Sequence, residues 1–211
     1  MSLVRKRARE GQKGSGLIEF LLASIFLIFP LLLGTFVFGM SLIRANQVAE
    51  VCRDAGHMYA YAVDFSQTSS QNILVQLAQG LNMTTSGGNG VVVLSTVTYI
   101  DDNDCRAVDP SDSCPNLHYD VFVRRIVVGN AGLHASAFGT PGSLDSSGNV
   151  NNYYTDTSAR ANNFGSVIPL ASGQYAYMAE TFVVSPDFNF WSGNAFWKWI
   201  TPGGISARSI F

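Results

Sequence analysis

The chain has 211 residues, 47% of them hydrophobic and only 13% charged, with a formal net charge of −2. That length suits one modest domain plus an anchor, and so even a balance offers no basic surface for nucleic acid. The shortage of charge is local: residues 20–40 contain no Asp, Glu, Lys or Arg.

The first fourteen residues carry Arg5, Lys6, Arg7, Arg9 and Lys13 against Glu10, a net of +4, so the remainder carries −6. Positive charge is retained on the cytoplasmic side of a membrane. The pattern therefore predicts a cytoplasmic amino terminus and an exported carboxy-terminal part. The uncharged run FLLASIFLIFPLLLGTFVFGM follows. As a helix it spans about 30 Å, enough to cross the hydrocarbon core. The alternative is a fully buried helix of a soluble domain. A cleaved secretory signal fits less well, because its apolar stretch runs to only about 7–15 residues before a small-residue cut site. An uncleaved signal anchor fits the run but leaves Glu19 unexplained.

Glu19 stands at the cytoplasmic edge of the span. A carboxylate within a membrane segment costs about 3 kcal/mol at the centre and less near an edge, which makes it a functional candidate. The bland alternative is a side chain resting among lipid headgroups. Gly14 lies five residues earlier, at the end of the basic run. With no Cβ, it lets another backbone approach closely. Pro30, inside the apolar run, removes one helical hydrogen bond and crowds the preceding turn. It is either an ordinary membrane-helix proline or a point at which the helix bends.

The stretch Gly14-Ser15-Gly16-Leu17-Ile18-Glu19-Phe20, with Gln12 before it and Pro30-Leu31-Leu32-Leu33 after it, resembles the TadE-like minor pilins of the tight-adherence (Tad) type IV pilus family. The resemblance covers residues 11–60 and extends to the rest in outline. It implies a basic leader (1–14) removed by a prepilin peptidase between Gly14 and Ser15, a transmembrane and assembly helix (15–43), and an exported head (44–211). It implies a structural subunit, a minor pilin or pseudopilin, assembled through its apolar helix, with Glu19, Phe20 and Pro30 as assembly residues. The implied partners are the prepilin peptidase, other pilin subunits, an inner-membrane assembly platform and membrane lipid, with no nucleic acid. The implied location is the bacterial inner membrane and then an extracellular pilus. Glu19 of one subunit would face the new α-amino group of Ser15 on its neighbour, since a buried ammonium requires a counter-charge. Ser15 and Glu19 are also one helical turn apart within a chain, so an internal pair remains open. The rival function is an uncleaved, single-pass membrane protein carrying an exported binding domain.

Residues 44–65 read as an amphipathic helix. Val48, Cys52, Ala55, Tyr59 and Ala62 recur at three- and four-residue steps beside Val51 and Met58. Cys52 is read as a buried thiol or a link between subunits. A second short helix is expected to be capped by Ser69 or Ser70, with Ile73, Leu74, Leu77, Ala78 and Leu81 as its apolar face. Three stretches rich in β-branched and aromatic residues, 90–100, 119–129 and 175–185, predict antiparallel strands. The expected fold class is α+β: a long N-terminal helix continuing into an amphipathic helix on a small antiparallel sheet, as in pilins.

Cys105 and Cys114 lie in the loop between the first two strands. In an oxidising location a local disulfide is expected, stabilising the fold by about 2–3 kcal/mol. A metal site is the rival, but no further ligand sits at the needed spacing. Residues 130–173, rich in Gly, Ser, Asn and Thr, read as a surface insert, with or without a hairpin of its own. The aromatic stretch containing Phe188, Phe190, Trp191, Phe196, Trp197 and Trp199 is a membrane anchor, a subunit contact or core packing.

Enzyme chemistry finds little footing. His57, His118 and His134 show no triad or metal spacing, and SGGNG lacks the lysine of a phosphate loop. Asp109-Pro110-Ser111-Asp112-Ser113 fits the D-x-S-x-S pattern that resembles von Willebrand-type adhesion domains, but it lies in a short cysteine-bounded loop rather than after a buried parallel strand. No enzyme activity, cofactor or metal is expected.

Overall fold

The computed structural model describes residues 12–108, 114–184 and 204–211. The chain divides into two compact units, Met1–Arg44 and Ala45–Phe211. The leader residues before Gln12, the Asp109–Ser113 motif and the aromatic stretch from Phe188 to Trp199 lie outside the described residues.

In the first unit, α1 (Gln12–Ala23) leads into a single wide π-type turn at Ser24–Ile28, and then α2 (Phe29–Ala60) begins. The helical stretch from Gly14 onward is long and apolar enough to cross a membrane, and none of its most apolar window is buried. The wide turn has a local cause. A proline ring clashes with the carbonyl one α-turn back, and Pro30 stands just after the turn. Widening moves that carbonyl away, and Phe29 N–H bonds Ser24 O instead, five residues back.

The second unit is α+β. Its sheet has the strand order β2-β1-β3-β4, formed by β1 (Gly90–Tyr99), β2 (Asp120–Gly129), β3 (Tyr175–Val183) and β4 (Ile205–Ile210). All neighbours are antiparallel. The three expected strands are present, each shortened by one or two residues. The fourth, β4, was not expected from the sequence.

One face of the sheet carries the helices. Val48, Val51, Cys52, Ala55 and Tyr59 of α2 bury against Val92 and Leu94 of β1, Ile126 and Val128 of β2, and Ala179 of β3. The apolar stripe thus packs as its period dictates. Its end does not: α2 stops at Ala60, and Ala62 adopts a left-handed conformation (φ 64) outside the helix. There Val63 N–H bonds Met58 O in the six-to-one pattern that closes many helices. The next helix, α3 (Thr68–Leu77), has Gln67 rather than Ser69 or Ser70 at its N-cap, and both serines lie inside it. Leu74, Ala78 and Leu81 are buried as expected, whereas Ile73 and Leu77 are exposed. The helix is only ten residues long and ends in a 3-10 turn at Gln79–Leu81, which changes the angle between successive side chains.

The opposite face is covered by the segment read above as a surface insert. Phe138, Val150, Ala159, Ala161 and Phe164 form a second buried cluster with Val97, Phe122, Ala176 and Met178. The segment also contains a hairpin closed by the Leu144–Val150 bridge. It is therefore the second layer of the domain, held by side chains that follow no regular period. A bulge at Thr96/Val97 pairs Thr96 with Arg124 but Val97 with Phe122, leaving Val123 as the extra residue. The bulge lets β2 send Phe122 into one cluster and Ile126 into the other.

Candidate functional site

The residues singled out near the amino terminus lie on one helix. Gly14, Ser15, Glu19 and Phe20 all belong to α1 and are exposed. A Cβ built on Gly14 or Gly16 meets nothing within 4 Å. Both glycines weaken the helix where they stand, on either side of Ser15, each by about 1 kcal/mol relative to alanine. Glu19 is followed by Phe20, Leu21, Leu22, Ile25 and Phe26, every one exposed. Thr35 Oγ1 donates to Leu32 O at 2.9 Å, with Leu31 O at 3.1 Å. This unit places its apolar side chains outward on all sides, which water does not tolerate but lipid or a bundle of like helices does.

In the second unit, Cys105 and Cys114 form a disulfide with Cα atoms 5.8 Å apart. Cys105 is buried beside Ile100 and Val121. It sits on α4 (Asp102–Val108). Asp101 caps that helix by accepting from Asp104 N–H at 2.8 Å, while Asp104 accepts from Asp101 N–H at 3.3 Å. Cys52 is a buried free thiol that donates to Ala179 O at 3.2 Å. Burial pushes its pKa up, so it resists forming the reactive thiolate.

His57 packs against Phe211, His134 stacks on Phe182, and His118 meets Tyr99 Oη at 3.1 Å. Among the described residues no group of three or more His, Cys, Asp or Glu is placed to hold a metal ion.

Two charged constellations went unnoticed in the sequence. Arg124 and Arg125 are adjacent on β2 and so point to opposite faces. Arg124 reaches Asp64 at 2.6 Å. Bonds from the Ser66 hydroxyl and amide, and then from Arg124, hold the Asp64 pKa down at about 2. Arg125 is buried on the other face, where it donates to Gly139 O at 3.0 Å. Burial lowers its pKa, and the charge of Glu180 opposes that. Glu180, 5% exposed, accepts from Arg208 at 3.0 Å and from Ala137 N–H at 3.3 Å. Its Oε2 and the nearby Ser95 Oγ have no partner among the described residues. The available signal was the pair RR inside the strand VFVRRIVVG. Both faces being covered, one arginine had to be buried and needed an acid opposite.

Comparison of the chain with protein-family models, with characterised proteins and with solved structures finds no match.

Proposed function

We propose that this chain is a structural filament subunit of the TadE-like, tight-adherence kind, cut after Gly14 and assembled through α1 and the apolar part of α2. The observation that carries the reading is a single carboxylate, Glu19, in a helical stretch whose leucine, isoleucine and phenylalanine side chains from Leu17 to Ile43 are all exposed. Lipid solvates such a surface before assembly, and neighbouring helices of the same kind cover it afterwards. Cleavage at Ser15 generates a positive α-amino group that pairs with the Glu19 carboxylate of a neighbour. The exported α+β head then decorates, initiates or caps the filament. The partners of this reading are a prepilin peptidase, other pilins and an inner-membrane platform.

A second reading, an uncleaved single-pass anchor with an exported binding domain, is favoured by one feature. The Gly14–Ser15 bond lies inside α1, whereas a peptidase needs an extended substrate. Intact-mass measurement of the chain co-expressed with a prepilin peptidase separates the two. The filament reading expects a mature terminus at Ser15, and Glu19→Ala should leave cleavage intact while incorporation into filaments falls. A retained arginine-rich leader under those conditions supports the anchor.

A further inference from the structure

A cavity of about 300 Å³ opens on the helix face of the sheet, where α2 has ended and no longer covers the strands. Arg124, Thr96 and Tyr177 form one row across β2, β1 and β3 there, and Tyr175 pairs with Thr98 in the next row outward. Tyr59, the last buried residue of α2, lines the cavity. Its hydroxyl meets Thr96 Oγ1 at 2.8 Å, and its ring stands edge-on to Tyr177 with centroids 5.7 Å apart. Asn149, from the hairpin of the second layer, also lines the cavity, with its Nδ2 donating to Asp145 Oδ2 at 2.9 Å.

Two backbone irregularities border this cavity. Ala62 lines it in a left-handed conformation that costs a residue with a Cβ about 1–2 kcal/mol. Val123, the bulged residue of β2, lines it as well. Strained backbone and bulges both concentrate around binding sites. Without the early stop at Ala60 and the turn through Ala62, the helix would continue over this row and fill the space.

The chemistry of the walls selects a ligand class. Tyr175 is 53% exposed, so it presents an aromatic surface at the rim rather than packing inward. The charge of Arg124 is already balanced by Asp64, and its Nε donates to Ser147 O at 3.2 Å. An anion would have to compete with Asp64, and a cation with Arg124. What remains is an aromatic platform ringed by neutral hydroxyls, an amide and the unused edge of a neutralised ion pair. That combination suits an uncharged ring bearing many hydroxyls, with a C–H face against tyrosine and alternating donors and acceptors around its edge. The volume lies at the lower end for ligand cavities and admits one such ring.

We propose that this cavity is a binding site for a single neutral sugar residue, stacked on Tyr175 and hydrogen-bonded by Arg124, Asn149 and the tyrosyl hydroxyls. The site is independent of whether the amino terminus is cleaved.

The test uses the full chain in a zwitterionic detergent without a sugar headgroup. Methyl glycosides of glucose, galactose, mannose and N-acetylglucosamine are examined by saturation-transfer NMR. The expected result is transfer to at least one of them, weakened about tenfold by Tyr175→Ala and unchanged between low and high salt. Tyr175 is exposed, so its loss leaves the fold in place, and a retained near-UV circular dichroism spectrum verifies that. Absence of transfer from all four glycosides overturns the proposal, and so does transfer that survives Tyr175→Ala. Preference for glucuronate over glucose, with strong salt dependence, overturns the assignment of a neutral ligand.

Discussion

Leu33 and Leu74 are the same side chain in opposite circumstances. Leu33, on the apolar stretch of the first unit, is 41% exposed, and Leu74, on α3 in the second, is wholly buried. The contrast extends to the surrounding residues. Phe26, Phe36 and Phe38 are exposed, whereas Phe65, Phe122 and Phe164 are buried. One unit satisfies its apolar side chains from within, and the other leaves them for its surroundings. Hydrophobicity alone therefore does not define a core here. What defines it is whether the apolar residues alternate with polar ones, as they do after Arg44 and do not between Phe20 and Ile43.

The largest test of that contrast is a pair of truncations. Phe122→Ala empties a buried site beneath the sheet and should destabilise the head by about 3–5 kcal/mol in urea unfolding followed by near-UV circular dichroism. Leu32→Ala removes a similar side chain from the first unit and should move the same transition by less than about 0.5 kcal/mol. Equal shifts would mean that the two units share one core. A smaller effect is expected from reducing the Cys105–Cys114 bridge or replacing both residues with serine. The loop is short, and its loss should cost the head about 2–3 kcal/mol while leaving insertion of the apolar helix unchanged. Membrane fractionation and thermal unfolding of the same double variant report the two parts separately. The smallest effect is a gain. Ala62→Gly relieves a left-handed alanine and should raise head stability by up to about 1 kcal/mol, reduced by the greater unfolded-state freedom of glycine. A loss of stability there would show that the alanine methyl makes contacts worth more than its strain.

The sequence made the first unit legible because a long uncharged run with one glutamate at its edge has few explanations. Three strands were legible for a similar reason: Val91–Val93, Val121–Val128 and Tyr175–Val183 are dense in residues that favour a pleated surface. β4 was not, because ISARSI is short and half polar, and only Ile205 and Ala207 mark its inner face. The second layer was invisible for a deeper reason. Phe138, Val150 and Phe164 reach one cluster from separate irregular turns, and no period links them. The tyrosine cavity was equally hidden. It is made by the place where α2 stops, and the stop is enforced by Ala62 rather than by the glycine that usually marks one.

The wide turn at Ser24–Ile28 has a geometric corollary for anything that docks along the first unit. Each residue of an α-helix advances about 100° around the axis. A turn that takes up one extra residue therefore offsets the azimuth of everything before it by about that angle relative to an unbroken helix. A helical wheel drawn straight through Pro30 consequently puts Glu19 on the wrong side with respect to Phe36 and Phe38. The bearing of the carboxylate has to be counted from the wide turn, and a one-residue deletion that returns the turn to regular α-helix would leave Glu19 facing the same way.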